Sequence, residues 1–209
     1  MASASSCRII HLIDGRSPDR PSISAEIYRD YPSSELDTIE VRWAEAREHA
    51  AAEGIAMGLA PLEHSHWDWR NKADSVEAGL HLLVAIECER EPQGIMAVLR
   101  TPRRSPRTGE MVVYVDYLES APWNLKGASA PPRYLGIGTV LIAEAVRLSL
   151  EMGLEGRVGL HSLPQAESFC KNRCRMTEFG ADPGYYDLTY FELNGQQATD
   201  WLVAIGEAP

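Results

Sequence analysis

The sequence predicts a mixed α/β fold, one layer of sheet with helices packed on it. Three observations carry the prediction. Apolar residues make up 44% of 209 residues, enough for a sizeable core in one domain of ordinary size. Short apolar runs alternate with stretches of helical periodicity, in the order strands, then strand–helix–strand–helix, then a strand. No internal repeat or low-complexity segment interrupts that order.

Element by element, "CRIIHLI" and "SISAEIYRDY" read as strands, and "GRSPDRP" between them as a turn. Ser34 fits a helix N-cap with Glu35 and Asp37 in the first turn. Leu36, Ile39, Trp43, Ala46 and Ala50 then recur at helical steps, and Gly54 fits the stop. "HSHWDWRNKADSVEAG" is polar and aromatic, with a helical second half. "HLLVAIECE" and "GIMAVLRT" read as buried strands joined through "REPQG". "EMVVYVDYLES", 110–120, has the low polarity of a central strand. A loop follows, then a helix over 136–152, the strand "GRVGLHSL", a helix through "PQAESFCKNRC", the strand "YYDLTYFELN" and a terminal helix in "GQQATDWLVAIG".

Composition narrows the function. The formal net charge of −10 disfavours nucleic acid and modestly favours a cationic substrate such as an amine. Cys7, Cys88, Cys170 and Cys174 form no CxxC pair and read as free thiols in a reducing cytosol. Cys170 and Cys174 share a helix face near His161, but no fourth ligand is in view, so no metal is expected. No segment approaches the roughly 18 apolar residues of a membrane span. The start of the chain lacks a signal-peptide pattern, and a cytoplasmic protein is expected.

The most informative stretch is "PPRYLGIGTVLIAEAVRLSLEMG", 131–153. Ile137, Leu141, Ala145, Leu148 and Met152 make an apolar stripe opposite Glu144, Arg147 and Glu151, so this helix lies on a sheet. Gly136 and Gly138 stand at its start, where unpaired N–H groups and a partial positive charge suit phosphate, and Arg133 stands beside them. The Walker pattern is absent, and so is the third glycine of the Rossmann fingerprint.

The spacing Arg133-x-x-Gly136-x-Gly138 in "RYLGIGTVLIAEAV" resembles the pyrophosphate motif of the GNAT superfamily of acyl-CoA-dependent N-acyltransferases. The strand "VVYVDYLES" before it, and the strand "GRVGLHSL" and helix "AESFCKNRC" after it, match the family frame. The resemblance covers roughly 80–193, the acyl-CoA core. It leaves 1–79 as a variable acceptor side and 194–209 as a C-terminal helix of the same domain. It implies a mostly antiparallel sheet with a V-shaped splay between two strands. It also implies transfer of an acetyl or related group from acetyl-CoA, or another acyl-CoA, to a primary amine of a small molecule or peptide. Dimers being frequent in that family, a homodimer is an expectation of the resemblance alone.

Site residues follow from the same resemblance. Leu135, Gly136, Ile137, Gly138 and Thr139 would offer N–H groups to the pyrophosphate, with Arg133 beside them, and Leu118 to Ser120 would hold the pantetheine arm. The amine needs a base, for which Glu119, Asp116 and His161 are candidates, Glu119 at the strand end where the thioester would sit. The family tyrosine that protonates the departing thiolate is replaced by Cys170, whose thiol is an unusual acid, and Ser168, a water, or Tyr185 or Tyr186 from the next strand are the other candidates. Trp67, Trp69 and Trp123 either line an acceptor pocket suited to a cation or serve the core and the turn. An alternative reading keeps the fold and loses the turnover: a catalytically weak acyl-CoA-binding or protein-interaction module.

Overall fold

The computed structural model describes residues 7–56, 67–125 and 131–207, side chains of 50 and 53–56 excepted. Residues 64–66 of "HSHWDW" and 126–130 of the loop before the glycines lie outside them. In chain order come β1 (Cys7–Asp14), β2 (Ser22–Arg29), α1 (Leu36–Ala56), α2 (Ala73–Glu77), β3 (His81–Cys88), β4 (Glu91–Leu99) and β5 (Arg103–Arg104). Then follow β6 (Met111–Ser120), β7 (Tyr134–Leu135), α3 (Ile137–Glu151), β8 (Val158–Ser162), β9 (Thr177–Asp182), β10 (Leu188–Leu193) and α4 (Gly195–Ala204). The sheet is mixed and mostly antiparallel and is flanked by helices, as the sequence predicts. The chain divides into two compact units, Met1–Ala97 with Leu118–Leu141, and Val98–Tyr117 with Ile142–Pro209.

In the first unit the strand order is β7-β1-β2-β3-β4. Strands β1 and β2 pair antiparallel from Cys7↔Tyr28 to Ile13↔Ser22. Their alternation is clean: Ile10, Leu12, Ala25 and Ile27 are buried, while Ile9 is 66% exposed on the other face. Leu36, Ile39 and Trp43 of α1 are fully buried, as the helical spacing requires. That helix continues past Gly54 to Ala56, and its start is a 3-10 turn over Ser33–Glu35 rather than a serine cap.

The β3–β4 connection also differs from its expected form. Glu89 and Arg90 make the turn, both left-handed at φ 54° and 64°, and β4 has begun by Glu91. Two consecutive positive φ values give the twist a tight hairpin needs, and here charged residues adopt them. Gly94 therefore lies inside β4. A Cβ there would sit 2.3 Å from Ile137 Cγ2, so glycine lets the first turn of α3 approach the strand.

In the second unit the order is β6-β8-β10-β9, with β5 paired to β6. β6 and β8 pair in parallel at Val113↔Val158, Tyr114↔Gly159 and Val115↔Leu160. There the ladder ends, although β8 runs to Ser162 and stays paired with β10. This parting of β6 from β8 lies where the resemblance implies a splay. α4 starts at a reciprocal cap, Asn194 accepting from Gln197 N at 2.9 Å while the Gln197 side chain accepts from Asn194 N at 3.0 Å. The helix expected through 164–174 is a 3-10 turn over Pro164–Ala166 and a π-helical turn over Phe169–Arg173, closed by Cys174 N donating to Phe169 O at 3.0 Å.

Candidate functional site

The glycine turn is built by two short pairings. β7 joins β1 at Ile13↔Leu135 and Asp14↔Tyr134. One residue on, Gly15 N donates to Arg133 O at 2.8 Å. A Cβ on Gly15 would lie 2.1 Å from Pro132 O, so this close approach requires glycine. Gly136 then takes φ +95°, with nothing within 4 Å of an added Cβ. Its carbonyl accepts from Val140 N at 2.9 Å, which starts α3 and leaves the N–H groups of Ile137, Gly138 and Thr139 at the helix mouth. The conformation serves an open approach to those N–H groups, since no neighbour demands the missing side chain.

Arg133 is half-exposed beside the turn. It donates to Glu91 at 3.0 Å, and its guanidinium lies 5.0 Å from the Trp123 ring centre. Trp123 itself donates its indole N–H to Gln93 Oε1 at 2.9 Å. Asn124 donates to the same oxygen at 3.0 Å, and its own Oδ1 accepts from Tyr134 N at 2.9 Å. Buried Gln93 thereby organises the loop that enters the glycine turn.

Glu119 is buried at the end of β6, between half-buried Leu118 and Ser120. Its Oε1 accepts from Arg47 at 2.8 Å and its Oε2 from the Trp69 indole at 2.6 Å. Arg47 also donates to Glu40, whose second oxygen accepts from Trp69 N at 2.8 Å. All four side chains are buried, and two carboxylates face one guanidinium. Burial raises the Glu119 pKa, and Arg47 opposes the rise. The Lys72 ammonium lies 5.4 Å from the Trp67 ring and 5.6 Å from the Trp69 ring, so these indoles already face a cation of the chain.

The second unit holds the other candidates. His161 Nδ1 meets Tyr114 Oη at 2.6 Å, and Nε2 meets Asp182 Oδ2 at 3.1 Å. Its ring stacks on Tyr185 at 4.1 Å between centres, and Tyr185 donates to Asp116 at 2.6 Å. Tyr190 donates to Glu192 at 2.9 Å on the neighbouring strand. Burial lowers the His161 pKa, with Asp182 pulling the other way. Buried Cys170 donates to Ser162 Oγ at 3.6 Å, and burial pushes its thiol up to about 11.

His161 gives a pH prediction. A base whose folded pKa is depressed takes its proton more readily when unfolded, so its stabilisation is full above its free value of about 6.5 and is lost as pH falls below that. Asp182, lowered by its bond to His161, adds a further loss in stronger acid. The melting temperature is expected to fall between about pH 7.5 and about pH 5.5, and His161→Gln to flatten that limb. An equal slope in the variant would clear His161 of the effect.

No family model and no curated protein matches the chain. Solved structures do. The PaiA N-acetyltransferase of Thermoplasma acidophilum, in complex with coenzyme A, aligns over 82% of this chain and 99% of its own, with TM-score 0.53 and 15% identity. The YncA putative acetyltransferase of Salmonella typhimurium, with acetyl-CoA, aligns over 82% and 94%, with TM-score 0.51 and 16% identity. An acetyltransferase of Salmonella typhimurium that modifies the N-terminal serine of a ribosomal protein aligns over 81% and 94%, with TM-score 0.50 and 11% identity. The chain has the GNAT acetyltransferase fold.

On this GNAT fold the sequence-predicted residues fall into separate groups. Trp69 meets Glu119, Arg133 meets Trp123, and His161 joins Asp116 through Tyr185. The sequence does not single out Gly15, Glu40, Arg47 or Gln93, nor the His161 partners Tyr114 and Asp182. Glu40 and Arg47 carry a signal in the sequence, since they fall on the Leu36–Trp43 stripe of α1. Among the described residues, no group of three His, Cys, Asp or Glu could hold a metal, and no helix is long and apolar enough to cross a membrane.

Proposed function

We propose that the protein is an acyl-CoA-dependent N-acyltransferase acting on a primary amine of a small molecule or peptide. The observation that carries this is Gly136, left-handed and open on its Cβ side at the mouth of α3. Those features fit a pyrophosphate, with Arg133 turning from Glu91 to pair with it. Acyl-CoA supplies the thioester, and the end of β6 at Leu118–Ser120 orients it. Glu119 takes the proton from the amine, burial having raised its affinity for one. Cys170 holds its proton at neutral pH, the state needed in a donor to a departing thiolate. Four unpaired cysteines support a reducing, cytoplasmic setting.

Calorimetric titration with acetyl-CoA and CoA, followed by a CoA-release assay against a panel of amines, tests the reading. Wild type is expected to bind both and to release CoA with at least one amine. Arg133→Ala is expected to bind about tenfold more weakly, the loss of one charge-assisted contact. No binding of acetyl-CoA or of longer acyl-CoAs would sink the proposal. A second reading, a module that binds acyl-CoA without turnover, is favoured by the engagement of both Glu119 oxygens. Binding with no release across the panel would select it.

A further inference from the structure

The outer face of β1–β2–β3 in the first unit is open to solvent along β1 and β2, where Ile9, His11, Ser24 and Glu26 are exposed, and closes at β3, where Ala85 is buried beside half-buried Glu87. Glu26 lies directly across from Glu87 in the β2–β3 register, a like-charge pairing that costs stability. A phenol holds each carboxylate: Tyr28 donates to Glu26 at 2.5 Å and Tyr31 to Glu87 at 2.6 Å. Glu89, which accepts from Tyr134 at 2.7 Å, stands on the same rim. With Arg90 these three carboxylates border a groove of about 460 Å³, Glu89 also lying 3.9 Å from the Arg16 guanidinium. Ile9, in register with Glu26, sets an exposed apolar side chain beside it.

The second unit carries the complement. Its residues 98–109 contain no acid and hold Arg100, Arg103, Arg104 and Arg107. Buried Ser105 fixes this turn. Its Oγ accepts from Arg107 N at 3.2 Å and from Thr108 N at 3.0 Å, and its N–H donates to Glu110 O at 2.8 Å. Arg103 lies over the Tyr114 ring at 4.7 Å, and Arg107 donates to Ala181 O at 3.0 Å. Arg104 and Arg107 are thus presented to solvent on a fixed turn.

We propose that the β1–β2–β3 face is an interaction surface for the arginine turn of a second copy of this chain. The guanidinium groups of Arg104 and Arg107 pair with Glu26 and Glu87, and Ile9 covers their aliphatic stems. Two copies of net charge −10 repel at long range, so attraction between them requires local complementarity of this kind. At an ionic strength of about 0.15 M the screening length is about 8 Å, which weakens the long-range repulsion more than contacts at hydrogen-bond distance. The acid-free run and the tyrosine-held carboxylates supply both halves of the interface on one chain.

Sedimentation velocity on the full chain tests this, with three charge-changed forms: Glu26→Arg with Glu87→Arg, Arg104→Glu with Arg107→Glu, and the neutral Glu26→Gln with Glu87→Gln. Wild type is expected to associate at about 0.15 M salt and to dissociate at about 1 M. Each reversed form alone is expected to associate at least about a hundredfold more weakly, like charges at contact costing several kcal/mol. The neutral form, free of introduced repulsion, is expected to weaken less. Mixing the two reversed forms is expected to restore association between them. Circular dichroism confirms that each form is folded. A wild type that is monomeric at every salt concentration overturns the proposal. So does association that neither reversal weakens, or reversed forms that associate no better together than apart.

Discussion

Arg47→Met is expected to destabilise the protein by about 3–5 kcal/mol, the cost of stranding buried charge after its partner is removed. In wild type one guanidinium serves both Glu40 and Glu119 away from water. Methionine fills much of the volume but leaves the two carboxylates facing each other. For a protein of about 150–250 residues each kcal/mol is worth about 2–4 °C, so the melting temperature is expected to drop by roughly 10 °C. The deficit has a pH signature. A carboxyl whose folded pKa is raised contributes stability in acid that is lost as pH rises through that pKa. The gap between variant and wild type is therefore expected to narrow as pH falls, since without Arg47 burial alone favours the protonated Glu119. Adding Glu119→Gln to Arg47→Met should recover part of the loss, since the two residues share one interaction. Denaturant melts across pH check this, and a loss below about 1 kcal/mol would mean that the cluster is not held as described.

Gly15→Ala is expected to weaken acyl-CoA binding from outside the glycine motif. The added methyl meets a backbone oxygen at 2.1 Å, and a backbone cannot swing aside as a side chain can. The β1 turn must part from Pro132 and Arg133, and the two-residue β7 pairing that aims Gly136 goes with it. We expect about 2–3 kcal/mol of destabilisation from the overpacking and acetyl-CoA affinity about tenfold lower, equivalent to 1.4 kcal/mol. Gly109→Ala is the control. It is left-handed, at φ +75°, has nothing within 4 Å of an added Cβ, and lies in the arginine turn of the second unit. That variant should bind acetyl-CoA as wild type does. Equal binding by Gly15→Ala would show that β1 does not set the turn.

The sequence made 80–193 legible because periodicity there is local. α3 and the strands β3, β4, β6 and β8 bury residues at spacings that a single window reveals. The parts it hid are those decided by long-range contact. β7 is two residues long and exists through β1, more than a hundred positions away. Gly94 looked like part of a turn because nothing in its neighbourhood announces Ile137. Strand β9 lacks alternation, its residues being exposed or half-buried, and escaped notice. At the candidate site Glu119 and Trp69 were singled out separately. They meet directly, and the Arg47 that completes their cluster required α1 to bring a charged residue inward, against the usual rule that such residues face water.

Five of the eight tyrosines, Tyr28, Tyr31, Tyr134, Tyr185 and Tyr190, donate their phenolic proton to a carboxylate. Losing that proton would set two anions at hydrogen-bond distance, and burial adds to the penalty, so all five phenols are held above their ordinary range. An acid raised in this way stabilises the fold fully below its free value, about 10 for tyrosine, and ceases to do so as pH climbs toward the folded one. Strong base therefore acts on this protein as a denaturant with many points of attack. Phenolate absorbance from these five rings should appear together with the loss of helical dichroism, in one transition rather than as independent titrations of a folded chain.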